Sequence, residues 1–80
     1  MTIIIYTKPE CVQCHATCRA LDKKGISYQL VDLGLAANGQ ALAHVKALGY
    51  RQVPVVQTPS EHWSGFRLDK INLLAAALAS

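Results

Sequence analysis

The chain has 80 residues, enough for one folding unit across 1–80. Hydrophobic residues make up 51% and charged residues 16%, a composition that excludes disordered and collagen-like classes. The net charge of +3 is too small and too scattered for a nucleic-acid footprint, though it favours acidic partners weakly. No apolar run approaches the ~20 residues needed to span a bilayer. Met1-Thr2-Ile3-Ile4-Ile5 enters apolar sequence with no basic segment before it, so the protein is expected in the cytoplasm, where thiols stay reduced. Three cysteines in that compartment point to redox or metal chemistry rather than a structural disulfide framework.

Residues 2–7 are short, β-branched and apolar, the pattern of a strand buried on both faces. Pro9 ends it. Residues 11–24 read as a helix, with Val12, Ala16, Arg19 and Ala20 at helical spacing and Gly25 as the stop after Lys23-Lys24. Residues 26–32 alternate as a second strand, completing a βαβ unit with parallel pairing. A turn-rich link over 35–39 leads to a second helix over 40–48, where Leu42, Val45 and Leu48 share a face and Gly49 stops the run. Residues 53–57 form a third strand with Pro54 at its mouth, 58–60 a turn, and 61–63 a short antiparallel return. A Leu- and Ala-rich helix opens at Leu68 or Asp69 and runs to Ala79. The order βαβαββα predicts an α/β, thioredoxin-like fold: a four-stranded mixed sheet flanked by three helices.

Cys11-Val12-Gln13-Cys14 follows the buried first strand and opens a helix. Two cysteines three apart on a first turn place their sulfurs on one face, close enough to bridge. First-turn amides lack intrahelical partners, and their partial positive charge favours a thiolate at Cys11. Lys8 adds to this and Glu10 opposes it. Cys14, one turn deeper, is the expected resolving thiol for thiol–disulfide exchange. Other readings of these residues stay open. Cys-Val-Gln-Cys-His matches a haem-attachment pattern, but the only methionine for a distal ligand is Met1 and no export signal precedes it. Cys11, Cys14 and Cys18, with or without His15, could hold zinc or an iron–sulfur cluster, yet His44 and His62 stand alone and form no second ligand pair. No metal or other cofactor is expected. The two cysteines could also be ordinary core residues. Cys18 reads as a small core side chain, with a regulatory disulfide to Cys14 as the sharper alternative.

From this motif onward the chain resembles the NrdH-redoxin family, glutaredoxin-like hydrogen donors to class Ib ribonucleotide reductase. The blocks that carry the resemblance are Cys11-Val12-Gln13-Cys14, Gly49-Tyr50-Arg51-Gln52-Val53-Pro54-Val55-Val56 and Trp63-Ser64-Gly65-Phe66-Arg67, in this order and spacing. Leu68 departs from the family, which often has Pro there. The resemblance implies a cis Val53–Pro54 bond facing the two cysteines, with the Val53 backbone free to pair with an extended substrate. It also implies that Trp63 to Phe66 form a loop near the active site, the alternative being that Trp63 and Phe66 are core aromatics. The residues expected to meet a partner are Lys8, Val12, Gln13, Val53, Pro54, Trp63, Ser64, Gly65 and Phe66. Similar glutaredoxins hold the glutathione ammonium with an Asp pair before the last helix. Here Ser64-Gly65-Phe66-Arg67 offers no acid before Asp69, and a cation left without its carboxylate binds poorly. The resemblance therefore implies a monomeric dithiol carrier reduced by thioredoxin reductase and oxidised by ribonucleotide reductase. The rivals are a glutathione-dependent glutaredoxin and a non-catalytic metal-binding module on the same fold.

Overall fold

The computed structural model describes residues 2–79. Met1, weighed above as a haem ligand, lies outside them. The elements are β1 (Ile4–Thr7), α1 (Val12–Lys23), β2 (Gln29–Asp32), a 3₁₀ turn (Ala36–Asn38), α2 (Gly39–Ala47), β3 (Val55–Gln57), β4 (His62–Ser64) and α3 (Leu68–Ala79). The sheet order is β2-β1-β3-β4, with β1 parallel to β2 and antiparallel to β3, and β4 antiparallel to β3. This is the thioredoxin/glutaredoxin fold expected from the element order.

Alternation along β1 divides the core. Ile3 and Ile5 face α1 and α3, packing with Leu21, Ile26, Val56, Trp63 and Ile71. Tyr6 faces the other side with Leu33, Val45 and Val55, under α2. Ile5, Val56 and Trp63 are direct neighbours across three strands, so one apolar row spans the sheet centre. Leu30 pairs with Ile5 on the outer strand and completes that row, but at the edge it is 58% exposed.

Both α1 and α2 end in the same double hydrogen-bonded cap. After α1, Gly25 N–H donates to the Asp22 carbonyl and Ile26 N–H to that of Leu21; after α2, Gly49 and Tyr50 donate to Lys46 and Val45. Gly25 (φ 69°) and Gly49 (φ 93°) supply the left-handed residue that this closure needs.

Several boundaries differ from the sequence reading. β1 starts at Ile4 rather than at residue 2. β2 begins at Gln29 because Ile26 is spent on the α1 cap, where its side chain closes over Leu21. Residues 36–38, expected as turn, wind into the 3₁₀ piece, and α2 starts one residue early. β3 starts at Val55 because Val53 and Pro54 turn ahead of the ladder, and β4 is shifted by one residue. The buried face of α1 is the one that holds Cys14, with Cys18 partly buried beside it, as the sequence reading expected. Cys14, Thr17 and Leu21 point inward, whereas Val12 is 80% exposed and Arg19 lies on the surface.

Candidate active site

β1 delivers the chain to the turn Lys8-Pro9-Glu10, which ends with Glu10 at φ 60°. A non-glycine residue in that region costs on the order of 1 kcal/mol, which the rest of the fold must offset. Nothing in the sequence announces it, since Glu is not a residue that favours positive φ. On the far side, the Asp32 carboxylate accepts from Gly34 N–H at 2.7 Å, and a side chain at position 34 would run into Pro9.

Cys11 is the N-cap of α1, in extended conformation, and its Sγ accepts the Cys14 amide at 3.1 Å. The first-turn donor is thus aimed at the Cys11 sulfur, where it stabilises negative charge. Cys11 and Cys14 are joined in a disulfide, with their Cα atoms 5.2 Å apart. Cys11 is half-buried while Cys14 is only 4% exposed. An incoming group therefore reaches Cys11 first.

Val53–Pro54 is cis, and the Val53 carbonyl oxygen lies 3.9 Å from Cys11 Sγ. Pro54 is buried and its carbonyl accepts Gly65 N–H at 2.8 Å. Ser64 Oγ donates to the Gln52 carbonyl at 3.0 Å. Gln13 reaches across from α1, its Oε1 accepting Phe66 N–H at 3.1 Å and lying 3.5 Å from where a side-chain carbon at position 65 would stand. Gln13 also carries the Thr17 hydroxyl on its own carbonyl at 2.8 Å. The cysteine turn, the Val53–Pro54 segment and the 64–66 loop are thereby tied together, with Val12, next to Cys11, and Phe66 exposed. Lys8 lines a small recess with Tyr50, Arg51 and Val53.

Trp63, expected at this surface, is instead 5% exposed and sits in the core under α1 and α3. Its indole Nε1 is buried with no hydrogen-bond acceptor among the described residues. The cause is register: as the partner of Val56 in the β4 ladder, its side chain must share the inner face.

Arg67 and Asp69 form a two-bond ion pair, Nε to Oδ1 at 3.0 Å and Nη2 to Oδ2 at 2.7 Å. The guanidinium holds the Asp69 carboxyl well below its usual range, at about 2. That carboxylate stays ionised at all ordinary pH values, and the pairing fades only as the pH falls toward 2. Arg67 thus has its charge matched within two residues.

Cys18 is partly buried, packed against the α1–α3 core beside Tyr28. Burial raises the Tyr28 hydroxyl above its ordinary pKa, with Asp22, whose Oδ1 accepts its hydrogen bond at 2.9 Å, and then the Cys18 thiol adding to the shift. Cys18→Ala is therefore expected to cost about 1 kcal/mol in urea unfolding and to leave disulfide reduction largely intact. Loss of turnover by a folded variant would give Cys18 a part in the chemistry. The sequence carried no signal for His44, which bonds Gln57 Oε1 at 2.7 Å, or for His62, whose Nδ1 meets the Tyr50 hydroxyl at 2.6 Å.

A glutaredoxin family model matches residues 3–63. The glutaredoxin-like protein NrdH of Salmonella typhimurium is 46% identical over 74 residues, 92% of this chain and 89% of that protein. The Escherichia coli protein of the same name is 43% identical over 77 residues, covering 96% and 93%. The solved structure of Escherichia coli NrdH-redoxin superposes with a TM-score of 0.86, covering 92% of this chain and 95% of that one. This chain belongs to the glutaredoxin family, with the NrdH-redoxins as its kin. A glutaredoxin from Archaeoglobus fulgidus, at 21% identity and a TM-score of 0.79, shares the fold. For an NrdH-redoxin, the Cys11–Cys14 pair is the redox centre, and the arrangement of a half-exposed sulfur over a shielded one suits thiol–disulfide exchange. No helix among the described residues is long and apolar enough to cross a membrane.

Proposed function

We propose that this protein is a monomeric cytoplasmic dithiol carrier that takes electrons from thioredoxin reductase and delivers them to class Ib ribonucleotide reductase. In the delivering step the Cys11 thiolate attacks a sulfur of the acceptor disulfide, forming a mixed disulfide and expelling one acceptor thiolate. Cys14 then loses its proton and attacks Cys11 Sγ, which expels the second thiolate and leaves Cys11–Cys14 oxidised. Two electrons pass to the acceptor, and two protons follow to its thiolates. The reductase reverses these steps.

The observation that carries the choice of electron source is the state of Asp69. Glutathione needs carboxylates for its ammonium, and the first acid after the Ser64-Gly65-Phe66-Arg67 stretch has both oxygens taken by Arg67. Prying it free would break a charge-assisted, two-bond contact. A protein reductase needs no such acid and can dock on the apolar patch of Val12, Phe66 and the Val53 edge. The similar Escherichia coli protein is described as having a thioredoxin-like activity profile, which agrees with this reading.

The test is NADPH oxidation coupled to a disulfide substrate. Turnover should be efficient with thioredoxin reductase and poor with glutathione reductase plus millimolar glutathione. The opposite ranking would overturn the proposal and assign the chain as a glutathione-dependent glutaredoxin.

A further inference from the structure

Beside its buried Cys14–Leu21 face, α1 carries a second stripe that borders solvent, with Ala20 at its inner edge against the core. Ala16, Arg19, Ala20 and Lys23 recur at helical spacing below exposed Val12, and together with Lys24 they form one wall of an open groove of about 640 Å³. Leu68, 48% exposed, and Asn72 of α3 form the other wall. The floor is apolar and the rim cationic. None of the three cations enters an ion pair among the described residues, whose two pairs are Arg67–Asp69 and Lys70–Glu61. No acid lines the groove, and Asp22, nearby in sequence, is turned to Tyr28.

Lysines near the end of α1 offset the helix dipole. That accounts for Lys23 and Lys24, but not for Arg19 a turn earlier, nor for the unfilled apolar floor between the helices. The stripe also leads to the chemistry, since Val12 at its upper end is next to Cys11.

We propose that the groove between α1 and α3 seats an acidic, partly apolar segment of the oxidised protein that Cys11 reduces. This rests on the carrier function proposed above. The helix rise places Arg19 about 10 Å and Lys23 about 16 Å below Val12 along α1. An extended chain covers these distances in about three and five residues. The matching segment therefore carries acids about three and five residues from its reacting cysteine, which share one face of an extended chain, and an apolar residue next to the cysteine on that same face for Ala16 and the apolar floor. Such charges steer encounter and hold register more than they add affinity, so the effect is greatest at low salt.

The experiment uses short synthetic peptides whose single cysteine is blocked as a mixed disulfide with thionitrobenzoate, with Glu or Gln at those two positions on either side of the cysteine. The reduced protein should react with a Glu peptide about fivefold faster than with its Gln counterpart at low ionic strength. That ratio should fall to about one in Arg19→Gln/Lys23→Gln and in high salt, and below one in the charge-reversed Arg19→Glu/Lys23→Glu. Equal rates with the unmodified protein, or a ratio that survives charge reversal, would overturn the groove's role while leaving the carrier function standing. Failure to reduce any of the peptides would overturn both. A Ser-containing Glu peptide should shift the backbone amide resonances of Ala16, Ala20 and Asn72. Equal shifts with inorganic phosphate would make this a bare anion site, and concentration-dependent shifts without peptide would assign it to a second copy of the chain; either result overturns the proposal.

Discussion

Replacing Cys11 by Ser is expected to lower disulfide reduction by a factor on the order of 10³ or more, because it removes the sulfur that attacks. Cys14→Ser should instead stall the reaction part-way. Its Cys11 can still attack, but no second thiol can resolve the product, so a mixed disulfide through Cys11 accumulates and is read by mass spectrometry before and after reductant. The asymmetry follows from position. Cys11 caps α1, half-open to solvent, with the Cys14 amide 3.1 Å from its sulfur, whereas Cys14 is 4% exposed beneath it. Electrostatics at the helix start favours the Cys11 thiolate, so alkylation of the reduced protein near neutral pH should mark Cys11 first. Preferential labelling of Cys14 or Cys18 would overturn the assignment of Cys11 as the nucleophile.

The parts of this site that were legible in the sequence are those in which one residue type has one structural consequence. Gly25 and Gly49 closed their helices as expected because both caps need a left-handed residue. The two cysteines three apart could only share a helix face once the preceding strand and Pro9 fixed where that helix starts. Less legible were features set by packing between distant segments. Val12, Ala16 and Ala20 repeat at helical spacing as well as Cys14, Thr17 and Leu21 do, and periodicity alone cannot say which stripe meets the sheet. The inner face is settled by Ile5, Val56 and Ile71, which occupy the space opposite Leu21. Ile26 alternates with Tyr28 and so reads as strand, yet its amide is claimed by the Leu21 carbonyl. Trp63 belongs to a family block near the active site, but the pairing with Val56 sends its side chain inward. Gln13 was expected at the site without a stated role. Its bond to the Phe66 amide, 53 positions along the chain, has no local sequence signature.

The same division between stripe and core gives a large effect on stability. Leu21 is fully buried, and its carbonyl accepts the amides of Lys24 and Ile26 that end α1. Leu21→Ala keeps those backbone bonds and removes the side chain that Ile5, Val56, Trp63 and Ile71 close around, a change that typically costs 2–5 kcal/mol, or roughly 3–4 where the site cannot collapse. A chain of this length has a total stability of roughly 4–12 kcal/mol, so the variant should lose about a quarter or more of it. Leu30→Ala is the matched control. The chemical change is identical, but Leu30 sits at the sheet edge, 58% exposed, and its loss should stay within about 1 kcal/mol. Urea unfolding of both variants measures the contrast, with the slope m held near that of the parent so that the midpoint shift reports stability alone. Similar midpoints for the two variants would mean that α1 does not turn its Cys14–Leu21 face to the sheet. The outer stripe of Ala16, Arg19, Ala20 and Lys23 would then have to be the packed face, and the groove between α1 and α3 would be filled from within.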